Sequence, residues 1–212
     1  MFGPLEIGTL AGVIYSICIH EAAHAYSADA LGDPTPRALG RCTLNPVPHI
    51  QATPFATLGL PVMSFLFSGG TMMFGGGACP VNVAYLRNPR RDDIIVSAAG
   101  PLANLVLSAL CVILAMIPFI TPGDSVLLPL LLNLAVMNFL LFLFNLIPAP
   151  PLDGSRILVR LVPDAQRFYA TLMSYGEMLP LVIALVLFRY VGSPIVWAYG
   201  DLVVGLVKDV RG

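Results

Sequence analysis

The sequence HEAAH at residues 20–24 sets two imidazoles four positions apart, with a carboxylate next to the first. On an α-helix that spacing turns by about 40° and rises about 6 Å, so His20 and His24 point the same way and can share one metal ion. Glu21 projects about 100° away from His20, beside the open side of such a metal, where it can take a proton from water without being a ligand. Zinc lowers the pKa of a bound water towards about 7, so these residue types suit hydrolysis at neutral pH. A hydrolytic zinc site usually has three protein ligands and an open position, so a third ligand must come from elsewhere.

His49, Asp124 and Asp153 are the candidates. His49 reads as a polar loop residue, and Asp124 sits in a turn at the opposite side from the end of the first apolar stretch. Asp153 lies in FNLIPAPPLDGSRIL, residues 144–158, where Pro148, Pro150 and Pro151 break a helix and let the chain re-enter a site. Gly154 is read as permitting a tight turn after it. The alternative for LDG is a simple helix-ending turn, and the alternative for HEAAH is a polar cluster that packs helices together. Two histidines and a glutamate inside an apolar span cost several kcal/mol unless they coordinate or pair, which favours Asp153 as third ligand.

The elements that position these residues are apolar. Of the 212 residues, 57% are hydrophobic and 11% charged, with mean hydropathy +0.84 and formal charge −1. Soluble domains are about a quarter charged, so a water-soluble globule, a nucleic-acid binder and a disordered chain are all excluded, and lipid is the natural solvent. Cys18, Cys42, Cys79 and Cys111 show no CxxC pair and read as small buried residues. A hydrocarbon core of about 30 Å needs about 20 apolar residues in a helix. The stretches at 5–31, 94–120 and 126–147 meet that length, the last two as a helical hairpin turning at Pro122 to Asp124. The first lacks a basic leader region and carries the polar cluster, so it reads as a retained span. Residues 54–77 are broken by Pro61 and by Gly69, Gly70 and Gly75 to Gly77. Residues 178–207 form a kinked span or a span with an interfacial helix, and Asn45 to Gln51 and Ala78 to Asn88 look like loop or short extended segments.

Arg37, Arg41, Arg87, Arg90 and Arg91 lie between the first and third stretches, and Arg156, Arg160 and Arg167 follow the fourth. The positive-inside tendency puts both connections in the cytoplasm, so residues 54–77 must dip in and return or lie in the interface. Only then do His24 and Asp153 emerge on the same side. The expected fold is an all-α polytopic membrane protein, a single membrane-embedded domain over 1–212. It has about four full transmembrane helices plus a re-entrant or interfacial hydrophobic segment with possible short β-strands.

HEAAH at 20–24, GPLAN at 100–104 and NLIPAPPLDG at 145–154 together resemble the site-2 protease family of intramembrane zinc metalloproteases, in its compact prokaryotic form without PDZ or CBS domains. LGDPTPRALGRCTLNPVPHI at 31–50 and the PVN and RNPRR segments are similar to the same group, so the resemblance covers most of 15–160. It implies Zn2+ held by His20, His24 and Asp153, with Glu21 as general base. Asn145 matches a family asparagine that orients substrate or stabilises the oxyanion, and its alternative is a helix-helix hydrogen bond. Gly100 and Asn104 match a motif read here as close helix packing and positioning. The chain departs from the group at Gln51, where an aspartate is frequent, and at Gly77, where a lysine is frequent.

The implied activity is an endopeptidase acting within or near transmembrane segments of another membrane protein, in the cell membrane, with its site toward the cytoplasm. Its partners are that membrane-spanning protein substrate and the lipid bilayer, with no nucleic acid. A metal transporter or sensor, or an inactive helix-binding relative, are the rival readings.

Overall fold

The computed structural model describes residues 2–70, 73–121, 126–176 and 179–211. The hairpin turn expected at Pro122 to Asp124, Asp124 with it, and Met178 lie outside the described residues. Helix α1 (Pro4–Ala30) leads into the short α2 (Thr35–Ala38) and α3 (Pro46–Ala52), a π-helical turn at Phe55–Gly59 and α4 (Leu60–Phe67). Then follow α5 (Pro89–Ala115), α6 (Leu127–Asn145), α7 (Asp153–Leu161), α8 (Ala165–Ser174), α9 (Leu179–Leu187) and α10 (Ser193–Arg211). Helices α1, α5, α6 and the 33-residue run Leu179–Arg211 are long and apolar enough to cross a membrane. The chain is therefore an all-α polytopic membrane protein.

Two asparagine-proline pairs start helices. Asn45 accepts the Val47 N–H at 3.0 Å and Asn88 accepts the Arg91 N–H, each followed by proline at the first helical position, where its missing N–H costs nothing. This cap turns 46–52, expected as a loop or extended segment, into a helix. At the other end of the chain, Pro194 does not stop the last span. A π-helical turn over Phe188–Gly192 absorbs it, and the Ser193 hydroxyl donates to Arg189 O at 2.6 Å, supplying a bond that proline cannot make. No separate interfacial helix follows among the described residues.

Helix directions are fixed by polar contacts. His24 meets Val96 and His20 meets Asn104, so α5 runs antiparallel to α1. Asn104 meets Asn138 and Ser108 meets Ala135, so α6 runs antiparallel to α5 and parallel to α1. The end of α1, the start of α5 and the end of α6 share one face, and the Arg87 N–H bonds Leu31 O at 3.1 Å across the mouth of the connection between α1 and α5. Gly8 and Gly12 on α1 admit Leu130 and Leu134 of α6, the small-residue packing by which helices approach in lipid.

The connection between α1 and α5 dips and returns. Phe65 on α4 packs against Phe2 with ring centroids 4.4 Å apart and planes tilted by 43°, and Gly70 lies against Phe2 and Glu6, at the far end of α1. An extended arm from Met73 to Asn82 then climbs back, with Gly75 against Ile17 and Gly77 against Glu21. From residue 3 to residue 21 a helix rises about 27 Å, close to the whole hydrocarbon thickness, so this is a deep re-entrant loop. The short strands allowed for in this region do not form among the described residues, because the arm has no strand beside it and bonds instead to Ser64, Thr57 and Ala56 of the descending limb.

In a background without native cysteines, single cysteines placed at Arg37 and Arg90, before and after the dipping segment, are expected to react with a membrane-impermeant maleimide from one side, and a cysteine at Phe119, which is 95% exposed, from the other. Opposite sidedness of positions 37 and 90 would contradict the re-entrant path.

Candidate metal centre

Helix α1 places His20 and His24 one turn apart, and both are buried. Asp153, the first residue of α7, comes to them from the other end of the chain. His20 Nε2 and His24 Nε2 are 3.0 Å apart, and Asp153 Oδ2 lies 3.2 Å and 3.4 Å from them. Neighbouring ligands on a tetrahedral zinc, at bond lengths of about 2.0–2.1 Å, stand about 3.3 Å apart, so the three atoms form one face of that tetrahedron.

The outer nitrogens show why these atoms need a cation. His24 Nδ1 lies 2.6 Å from the backbone carbonyl of Val96, which can only accept, so Nδ1 carries the proton and Nε2 presents a lone pair. His20 Nδ1 lies 2.6 Å from Asn104 Oδ1. Histidine ligands are commonly oriented by such a bond on the second nitrogen. Two lone pairs and an anionic oxygen thus converge, a donor set that fits Zn2+.

The scaffold keeps that space open. Val96, Gly100 and Asn104, at successive four-residue steps, form the stripe of α5 that faces α1. A Cβ on Gly100 would run into both Nε2 atoms, 2.6 Å from that of His20, so only glycine lets this backbone come so close. Helix α7 is docked on α5 by Asp93, a buried carboxylate that accepts from Arg156 Nη2 at 2.6 Å and Arg160 Nε at 2.7 Å. These arginines stand three and seven residues after Asp153, on its side of α7. Gly154 does not make the tight turn read from the sequence. It lies inside α7 with ordinary φ, and it is small because a Cβ there would strike the Leu146 and Ile147 backbone at the end of α6.

A cavity of about 290 Å³ opens on the three atoms, bordered by Glu21, Asn145, Arg156 and the arm from Gly75 to Cys79. Glu21 is 4% exposed, and its Oε2 has no hydrogen-bond partner among the described residues. A buried carboxylate oxygen without a partner is uncommon and leaves an acceptor open toward the cavity. Gly77 covers it, since a Cβ there would sit 2.5 Å from the Glu21 carboxyl carbon. Asn145 ends α6 with its amide nitrogen donating to Leu141 O at 2.9 Å. Burial, with the Glu21 charge nearby, pushes the Cys79 thiol up to about 12, so it stays neutral in the cavity wall. His49, weighed as a ligand, is instead buried on α3 with Nε2 on Thr43 O at 2.9 Å, outside this cavity.

The pattern of Peptidase family M50 matches residues 8–127 and 122–187, which include every residue of the cavity wall. The chain belongs to peptidase family M50. The relatives it matches include "Putative zinc metalloprotease YwhC" of Bacillus subtilis, 35% identical over 87% of this chain and 82% of that protein. "Putative zinc metalloprotease Rip2" of Mycolicibacterium smegmatis is 34% identical over 82% of this chain and 65% of its own length, and that of Mycobacterium tuberculosis is 34% identical over 88% and 68%. No solved structure matches the chain.

Gly100→Ala should weaken zinc binding at least about tenfold while leaving the helical content unchanged, because the added methyl group must displace an imidazole. Chelator competition followed by metal analysis reads this directly, and unchanged affinity would count against the close approach of α5 to the centre.

Proposed function

We propose that this zinc metalloprotease of family M50 hydrolyses peptide bonds within or near the transmembrane segments of other membrane proteins, with His20, His24 and Asp153 holding zinc and Glu21 as general base. The observation that carries this reading is the tetrahedral face of three acceptor atoms beside an unpaired, buried Glu21 carboxylate. Zinc would supply Lewis acidity, lowering the pKa of water and drawing charge from a peptide carbonyl. Glu21 takes the proton of the attacking water and passes it to the leaving amine. Asn145 borders the cavity, and the amide N–H that it does not give to Leu141 O would serve as an oxyanion donor, a contribution on the order of 3 kcal/mol.

A spanning helix hides its backbone, so a substrate segment must unwind before it is cut. The arm from Met73 to Asn82 offers an edge for it. Along the arm, Phe74, Gly76 and Ala78 bond to the descending limb or to Arg41, whereas no backbone partner of Gly75 or Gly77 occurs among the described residues, and these two border the cavity. That alternation is what a strand edge presents to an added strand. The arginine-bearing face, with Arg37, Arg90 and Arg167, is the cytoplasmic one by the positive-inside tendency, and the cell membrane is the proposed location.

Purified protein is expected to contain one zinc and to cleave a model single-span substrate in proteoliposomes, and Glu21→Gln to keep the zinc while losing about 10²–10⁴ in rate. Gly77→Ala should also keep zinc but lose activity, since the methyl group displaces the Glu21 carboxylate. Equal cleavage by wild type and a zinc-loaded Glu21→Gln would overturn the mechanism.

A further inference from the structure

The two imidazoles at the centre are held in different ways. His24 bonds straight to a backbone carbonyl, which fixes its proton on Nδ1. His20 bonds to the side-chain amide of Asn104, and an amide has two ends. With its oxygen toward His20, the proton sits on His20 Nδ1 and Nε2 is free to bind metal. With its nitrogen toward His20, the proton moves to Nε2 and points into the centre. Something must decide which end faces His20.

Asn138 on α6 is placed to decide it. Asn104 Nδ2 lies 3.1 Å from Asn138 Oδ1, and Asn138 Nδ2 lies 2.9 Å from Leu134 O and 3.1 Å from Ser16 Oγ. Leu134 O is a backbone carbonyl and can only accept, so the nitrogen of Asn138 must face it and the oxygen of Asn138 must face Asn104. Asn104 must then donate to Asn138 and turn its own oxygen to His20, whose Nδ1 must donate. Ser16 closes the other branch by donating to Gly12 O at 2.9 Å, which leaves its oxygen to accept from Asn138. Asn104 and Asn138 are 0% and 1% exposed, so no solvent molecule competes to reverse the chain. A reversed amide would set two acceptors against each other in a dry interior, at a cost that the buried network cannot relieve.

We infer that Asn138 is a positioning residue for the metal centre: through the Asn104 amide it imposes the Nδ1–H tautomer on His20 and so keeps Nε2 available to zinc. The inference rests on the reading of His20 as a zinc ligand. It assigns to α6 a role separate from Asn145, since Asn138 lies two turns away and touches neither substrate nor metal.

Three measurements test it together. In zinc-free wild type carrying ¹⁵N-histidine, nitrogen chemical shifts should place the His20 proton on Nδ1. Asn138→Leu frees the Asn104 amide to turn over, and it should weaken zinc binding by about 10–100-fold and bring up the Nε2–H form of His20. In an Asn104→Asp background, where a carboxylate can only accept from His20, Asn138→Leu should cost no zinc affinity; that lost coupling separates polarity from packing. A wild-type His20 Nδ1 without a proton would overturn the inference without any variant. So would unchanged zinc affinity in Asn138→Leu, or an equal loss in both backgrounds, which would make Asn138 helix packing alone. His20→Ala serves as the separate check on the parent reading: zinc held as tightly as in wild type would overturn the metal centre itself.

Discussion

Two imidazole lone pairs and a carboxylate oxygen within 3.4 Å of one another repel unless a cation lies between them, and much of this molecule serves to hold them there. The apolar solvent makes that geometry more consequential than it would be in water, since uncompensated polar groups in the bilayer cost several kcal/mol. Each of the three groups is therefore backed by a second one. Val96 O fixes one imidazole, Asn104 the other, and the clamp of Asp93 on Arg156 and Arg160 sets the helix that begins with Asp153.

Helix α5 carries all three supports within its first five turns, which explains the glycine at position 100. A helix that must touch both imidazoles cannot afford a side chain at the point of contact. The same requirement governs topology. The end of α1 and the end of α6 must reach one face, so the long connection between α1 and α5 must return to the side it left. It does so by descending as α4 and climbing back as an extended arm whose glycines lie flat on Ile17 and Glu21.

Much of this was legible in the sequence, because lipid leaves few places for polar residues. HEAAH announced its own geometry, and the arginines fixed the sidedness from which the re-entrant path and the pairing with Asp153 follow. The four spanning segments appeared where hydropathy put them, the last running unbroken through Pro194. What stayed hidden depends on distances between segments. Asn138, like Asn133, is a polar residue within an apolar span, a sign that it must have a partner, but nothing in the spacing names Asn104. The Asp93 clamp, the contact of Gly77 with Glu21 and the true reason for Gly154 are likewise close approaches between elements. The cap at Asn45 was a local signal available in the sequence, where Asn-Pro read as a loop because the helix it starts is only seven residues long.

The central claim is that zinc sits on His20, His24 and Asp153, and X-ray absorption at the zinc edge of the purified, membrane-reconstituted protein tests it most directly. The account predicts only nitrogen and oxygen neighbours at about 2.0–2.1 Å, with an imidazole scattering pattern that is lost together with the zinc in His24→Ala. Sulfur scattering at about 2.3 Å, or the same spectrum and zinc content in His24→Ala, would contradict it.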